Sequence, residues 1–349
     1  MKSIFTFRRL SWLVALLIVG AIVAACGPAS TATIPGQPTP VKLALDWIPN
    51  TNHTGLYVAQ QQGYYRQHGV DVTLMPYGAV SPETLVASGQ ADFAISFEES
   101  VALDRAQGQP LVSVATLLQH DTSALVVLKS SGITRPAQLI GKRFASSGDP
   151  AEHAVIDLIQ VNDGATAPSF DPTQVDSADV STLLTGKFDF VWIYKGVEGI
   201  QAKDKGIDLT TFSLEDYGVP DFYSPVLITS ENEIKQHPDV VRSVVAATAQ
   251  GFTYAAQHPD TSVDMLIHGA GGQSNTLFDT RQVALDSQQY QSKAYIADAK
   301  CWGTQSLTVW TGFPRLLYRN GALNDANNQP LKSEPDYNAM FTNQFLPAC

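Results

Sequence analysis

Nine short apolar runs rich in β-branched and aromatic residues recur along the chain, and no other feature constrains its fold as much. They read VKLALDW (41–47), VDVTLMPY (70–77), ADFAISF (91–97), LVSVATLL (111–118), SALVVLK (123–129), KRFASS (142–147), DFVWIY (189–194), LTTFSL (209–214) and SPVLITS (224–230). Each has the length of a buried strand, and several are separated by stretches of helical period such as HTGLYVAQQQGYYRQHG and PETLVASGQ. Strands alternating with helices argue for an α/β protein with parallel sheets and crossover helices. Some 310 residues of this kind are too many for one comfortable core and enough for two lobes.

Two of the runs do not look like simple turns, and crossings between lobes are expected there: 123–132 and 223–232. That arrangement builds lobe one from 41–127 plus 229–349 and lobe two from 128–228. The competing arrangement is one continuous sheet followed by a helical domain. After residue 232 the pattern turns helical, and the stripe Val241, Val244, Val245, Thr248 reads as core packing.

The first residues address location. Lys2, Arg8 and Arg9 precede the apolar segment SWLVALLIVGAIVAA, which ends at VAAC. Small residues before a cysteine, then a Ser/Thr/Pro-rich stretch, are the pattern of lipoprotein processing. We expect residues 1–25 to be a signal peptide, Cys26 to be lipidated, and 26–40 to be a tether. The folded part is then expected on the extracytoplasmic face of the cell membrane. Without Lys2, Arg8 and Arg9, 19 of the 22 basic residues remain against 33 acidic ones. Such a surface disfavours nucleic acid as a partner. Cys301 and Cys349 carry no metal-ligand spacing, so a disulfide is expected and no metal site.

The stretches LDWIPNTNHTGLYVAQQQGYY, SGQADFAIS, DRAQGQPLVSVA, RPAQLIGKR and YGVPDFYSPVLIT occur in this order. Together they resemble the thiamine-pyrimidine-synthase-like family, which includes formylaminopyrimidine-binding and riboflavin-binding proteins of ABC importers. The resemblance covers about residues 41–260. It implies the type II periplasmic-binding-protein fold, with two lobes joined by two crossing strands and a ligand in the cleft between them. It also implies an ABC permease and its ATPase as partners. The synthase branch carries a lysine and a histidine where this chain has Ser96 and Ser100, and a cysteine cluster where it has VPDFYSPVLIT. Serine cannot form a Schiff base, so binding without a cofactor is expected, not catalysis.

A flat heteroaromatic needs stacking faces and a few fixed polar groups, collected at strand C-terminal ends. The expected ligand-binding residues are Trp47, Asn50, His53, Phe97, Glu98, Glu99, Ser147, Asp149, Trp192, Tyr194 and Tyr223. Asp46 is read as a brace of its turn. Trp192 and Tyr194 share a strand face and would oppose Trp47 across a ring. Riboflavin is preferred, with aromatics for its rings and carboxylates for its ribityl hydroxyls; the alternative is a thiamine-precursor aminopyrimidine.

Overall fold

The computed structural model describes residues 37–349 apart from 150 and 176. The expected signal peptide, Cys26 and the tether up to residue 36 lie outside the described residues. Each of the nine apolar runs overlaps a strand: β1 Thr39–Ala44, β2 Val70–Met75, β3 Phe93–Ser96, β4 Leu111–Thr116, β5 Ser123–Leu128, β6 Arg143–Ser146, β8 Phe190–Tyr194, β9 Leu209–Ser213 and β10 Val226–Ser230. The tenth, β7 Asp171–Gln174, is exposed throughout and contains Pro172, which suits an edge position. β1 begins at Thr39, so the last two residues assigned to the tether belong to a sheet.

The strands form two five-stranded sheets, ordered β2-β1-β3-β10-β4 and β7-β6-β8-β5-β9. Both sheets are mixed, whereas the sequence pattern pointed to parallel ones. In the first, β1 runs parallel to β2 and β3, and β10 is antiparallel to β3 and β4. In the second, β6 runs parallel to β7 and β8, and β5 is antiparallel to β8 and β9. The antiparallel strand in each sheet is the first one laid down after the chain changes lobe.

Those strands, β5 and β10, occupy the segments expected to be crossings. They are sheet strands buried on both faces: Leu125 and Val127 pack into one core while Val126 packs into another, and Val226 and Ile228 are likewise separated from Leu227. The chain passes between lobes in the residues just before them, after β4 and again after the 3₁₀ turn Glu215–Tyr217. Lobe boundaries at 127/128 and 228/229 therefore cut through strands and move toward the N-terminus.

The helices Pro238–Gln257, Pro259–Gly269 and Arg281–Ala294 cover one face of the first sheet, with Val241, Val244, Val245 and Thr248 buried. The helix Thr54–Gln61 approaches Pro238–Gln257 so closely that a Cβ on Gly251 would run into the Gly55 carbonyl. This contact fixes the segment leading out of Asp46-Trp47. The C-terminal tail pairs with the edge strand β4: Ser113 N–H donates to Met340 O (2.9 Å) and Thr342 N–H to Ser113 O (2.8 Å). The Cys301–Cys349 disulfide closes that tail, with Cα atoms 6.0 Å apart. Among the described residues no helix is long and apolar enough to cross a membrane.

Candidate functional site

A cleft of about 830 Å³ opens between the two sheets. The C-terminal ends of parallel strands supply most of its lining, as expected for an open α/β sheet. Asp46 and Trp47 follow β1, Tyr77 follows β2, and Phe97 and Glu99 follow β3. From the other side, Ser147 and Asp149 follow β6, Asp179 comes after β7, and Glu198 follows β8, which itself contributes Trp192 and Tyr194. Phe222 and Ser224 enter from the second passage.

The turn after β1 is built by its own side chains. Asn50 Oδ1 accepts from Asn52 N–H (2.9 Å), and Asn50 N–H donates to His53 Nδ1 (3.2 Å). With Nδ1 serving as acceptor, the ring proton sits on Nε2, which donates to Asp46 Oδ1 at 2.6 Å. His53 is fully buried and does not line the cleft. It orients Asp46, which does.

The structure brings Trp47, Asn50, Phe97, Glu99, Ser147, Asp149, Trp192 and Tyr194 to the cleft, and leaves His53, Glu98 and Tyr223 outside it. Glu98 is buried and accepts from Tyr223 N–H (2.8 Å), tying the helix Glu98–Ala106 to the second passage. Burial raises its carboxyl well above the usual range. The Tyr223 hydroxyl accepts from Ser306 N–H (3.0 Å), away from the cleft. Glu98 and Glu99 are consecutive on a helix and point about 100° apart, so only one can face the ligand.

The sequence reading missed several lining residues. Tyr77 meets Trp47 with ring centroids 4.8 Å apart at 47°, extending the aromatic wall. Glu83 accepts from Ser96 Oγ (2.6 Å). Glu152 accepts from the Ser146 hydroxyl and from Ser147 N–H (2.9 Å) and Oγ (2.8 Å), holding the Ser147 lip in shape. Glu198 accepts from Tyr194 N–H (3.0 Å). Its position shortly after an aromatic strand is the same signal that drew attention to Glu98 and Glu99.

Electrostatics set this cleft apart. Seven carboxylates line it: Asp46, Glu83 and Glu99 from the first lobe, and Asp149, Glu152, Asp179 and Glu198 from the second. No Lys, Arg or His does so among the described residues. Burial raises Glu83, lifts Glu99 well above its ordinary range, and pushes Asp149 up to about 6 and Glu198 up to about 7. Tyr194, hydrogen-bonded to Ser224 Oγ at 2.7 Å, is also held well above the ordinary phenol range by burial and by Glu99. Such a cleft is short of positive charge and rich in acceptors.

The family profile described as NMT1/THI5 like matches residues 50–262, more than half of the chain. The chain belongs to that family. It is 30% identical over 274 residues, 76% of this chain and 79% of the relative, to a formylaminopyrimidine-binding protein of Halalkalibacterium halodurans. It is 24% identical over 336 residues to the riboflavin-binding protein RibY of Chloroflexus aurantiacus, covering 93% of this chain and 91% of that one. A 4-amino-5-hydroxymethyl-2-methylpyrimidine phosphate synthase of Legionella pneumophila is 27% identical over 235 residues, 65% and 72% of the two chains. Among solved structures, the ligand-binding component of an ABC-type import system from Staphylococcus aureus superposes with a TM-score of 0.66 at 15% identity, covering 88% of this chain and 97% of that one. A Candida albicans protein described as having the generic periplasmic-binding-protein fold matches with a TM-score of 0.59 at 19% identity, over 89% and 98%. The two-lobed architecture of this NMT1/THI5-like chain is the periplasmic-binding-protein fold.

Proposed function

We propose that this chain is the extracytoplasmic solute-binding protein of an ABC importer, anchored through a lipid on Cys26. Its cleft receives a flat nitrogen heteroaromatic with N–H donors on its edge, of the aminopyrimidine class. The observation that carries the ligand class is the lining: seven carboxylates, the rings of Trp47, Tyr77, Phe97, Trp192, Tyr194 and Phe222, and no basic side chain among the described residues. Stacked rings hold a planar ligand, and carboxylates take its N–H edge in charge-assisted hydrogen bonds. A sulfonate, a nitrate or a phosphate ester would be desolvated among like charges. The same lining supports binding over synthase chemistry, which needs a lysine for its Schiff base. The 30% identity to a formylaminopyrimidine-binding protein points the same way.

Riboflavin is the second reading, favoured by the cleft's size. At about 830 Å³, with an aromatic pair on one side and Trp192 and Tyr194 on the other, it has room beyond a single ring, and its carboxylates could accept from ribityl hydroxyls. Thermal melting of the mature chain with an aminopyrimidine, riboflavin, nitrate or an alkanesulfonate tests both readings. A ligand at about 100 times its Kd adds about 2.7 kcal/mol, which at about 2–4 °C per kcal/mol is a rise of roughly 5–11 °C. A rise with either anion and with neither heteroaromatic would refute the proposal. For the anchor, Cys26→Ala should release the protein from the membrane fraction.

A further inference from the structure

The cleft carboxylates differ in what already holds them. Asp46 is taken by His53, Glu83 by Ser96, Glu152 by Ser146 and Ser147, and Asp179 by Ser181 N–H (2.7 Å) and Ser177 Oγ (2.8 Å). These four are braces. Glu99 is not: it lines the cleft at 8% exposure, and its Oε2 is buried with no partner. A buried acceptor left open in this way costs free energy that a ligand donor would recover. On the other lobe, Asp149 offers one oxygen to Ala151 N–H (2.7 Å) and lines the same cleft.

The two carboxylates feel each other. After burial, the charge of Asp149 is the largest cause raising Glu99, followed by Glu98 and Asp121. Asp149 is itself raised by burial and by the charges of Glu152 and Glu83. The neighbouring charges that raise the pair are acidic, with the Tyr194 phenol beside Glu99 and the Lys195 ammonium acting on Asp121 behind it.

We propose that Glu99 and Asp149, one from each lobe, together grip the amidine-like edge of the ligand, and that this grip couples the ligand's positive charge to closure of the lobes. The inference rests on the aminopyrimidine reading above. An aminopyrimidine entering the cleft is bound as the pyrimidinium, its ring nitrogen taking a proton from the Glu99 carboxyl or from solvent and donating it to the open Glu99 oxygen, while the exocyclic amino group bridges toward Asp149. One cation then holds two anions that would otherwise repel across the cleft. A pyrimidinone of the same shape turns a carbonyl oxygen toward them and is rejected, because a site built for N–H donors leaves its acceptors unpaired with such an analogue.

Calorimetry and ultraviolet difference spectra at pH 7.5 test this, with 4-amino-2-methylpyrimidine and 2-methylpyrimidin-4-one as probes. The wild-type protein should bind the amine at least about 100-fold more tightly than the pyrimidinone and show the spectrum of a protonated ring. Glu99→Gln and Asp149→Asn should each weaken the amine about 10- to 100-fold, and Glu99→Gln should abolish the protonated-ring spectrum. Melting of the empty variants reports their folding, and Asp149→Asn, at the more exposed lip, provides the second variant. Unchanged amine binding and an unchanged spectrum in both folded variants would overturn the role of the pair and leave the functional reading standing. A wild-type protein that binds neither an aminopyrimidine nor riboflavin would overturn both.

Discussion

Trp47→Ala separates a ligand-stacking indole from a core one. Trp47 is only half-buried, stands at the cleft, and has Tyr77 as its aromatic neighbour at 4.8 Å. In the empty protein the substitution loses chiefly that aromatic contact, about 0.5–1.5 kcal/mol. Melting should fall by a few degrees at about 2–4 °C per kcal/mol. With ligand present, a ring stacked on the indole covers about 75 Å² of it, worth about 2 kcal/mol at about 25 cal/mol/Å², and the stacking geometry adds about 0.5–1 kcal/mol. The expected loss of about 2–3 kcal/mol raises Kd roughly 30- to 150-fold. Calorimetric titration of both proteins, with melting of both empty, measures the two effects separately. A Kd within threefold of wild type, together with a melting point more than 10 °C lower, would show that Trp47 serves the core and that the ligand sits elsewhere.

Three further outcomes follow from the same geometry. His53→Ala leaves Asp46 Oδ1 and Asn50 N–H without partners, so the protein should lose about 2–4 kcal/mol of stability while affinity falls less than about tenfold; full stability with binding abolished would contradict the bracing role. Glu198, pushed up to about 7 from an ordinary 4.5, contributes stability that is complete below pH 4.5 and lost as pH rises through about 7. Its partial exposure limits the loss to about 2 kcal/mol. The empty Glu198→Gln variant should therefore lose less stability than wild type between pH 5 and 8, and parallel pH profiles would refute this. Cys301→Ser opens a bond spanning 48 residues, with a ceiling of about 4 kcal/mol from chain entropy. Faster hydrogen exchange at Ser113, where the tail pairs with β4, is the expected signature, and unchanged exchange there would contradict it.

What the sequence disclosed follows the reach of its local signals. Strand positions were legible because buried strands are continuous apolar runs, and β7 was not because DPTQ is a polar edge with a proline. Lobe membership was misread at β5 and β10 because a run buried on both faces looks the same whether it crosses between lobes or lies in a sheet; only its hydrogen-bonded neighbours distinguish the two. Strand ends led to Trp47, Glu99, Asp149, Trp192 and Tyr194. Tyr77 and Glu83 escaped because they lie beyond β2, on a loop and a short helix whose place at the cleft depends on the sheet order. His53 was read as a contact because its burial depends on the helices Pro259–Gly269 and Arg281–Ala294, which pack on its turn from more than 200 residues away in sequence.

The ligand class also shifted once side chains were placed. Counted along the chain, the acidic residues looked like acceptors for ribityl hydroxyls. Gathered around one cleft without a basic residue among those described, they favour a ligand that brings N–H donors or positive charge.

Isothermal titration of the mature chain at neutral pH, with an aminopyrimidine, riboflavin, nitrate and an alkanesulfonate measured side by side, tests the central claim most directly. The account predicts one-to-one binding of the aminopyrimidine and no measurable heat from either anion. Tight binding of nitrate or the sulfonate, with no heat from either heteroaromatic, would contradict it.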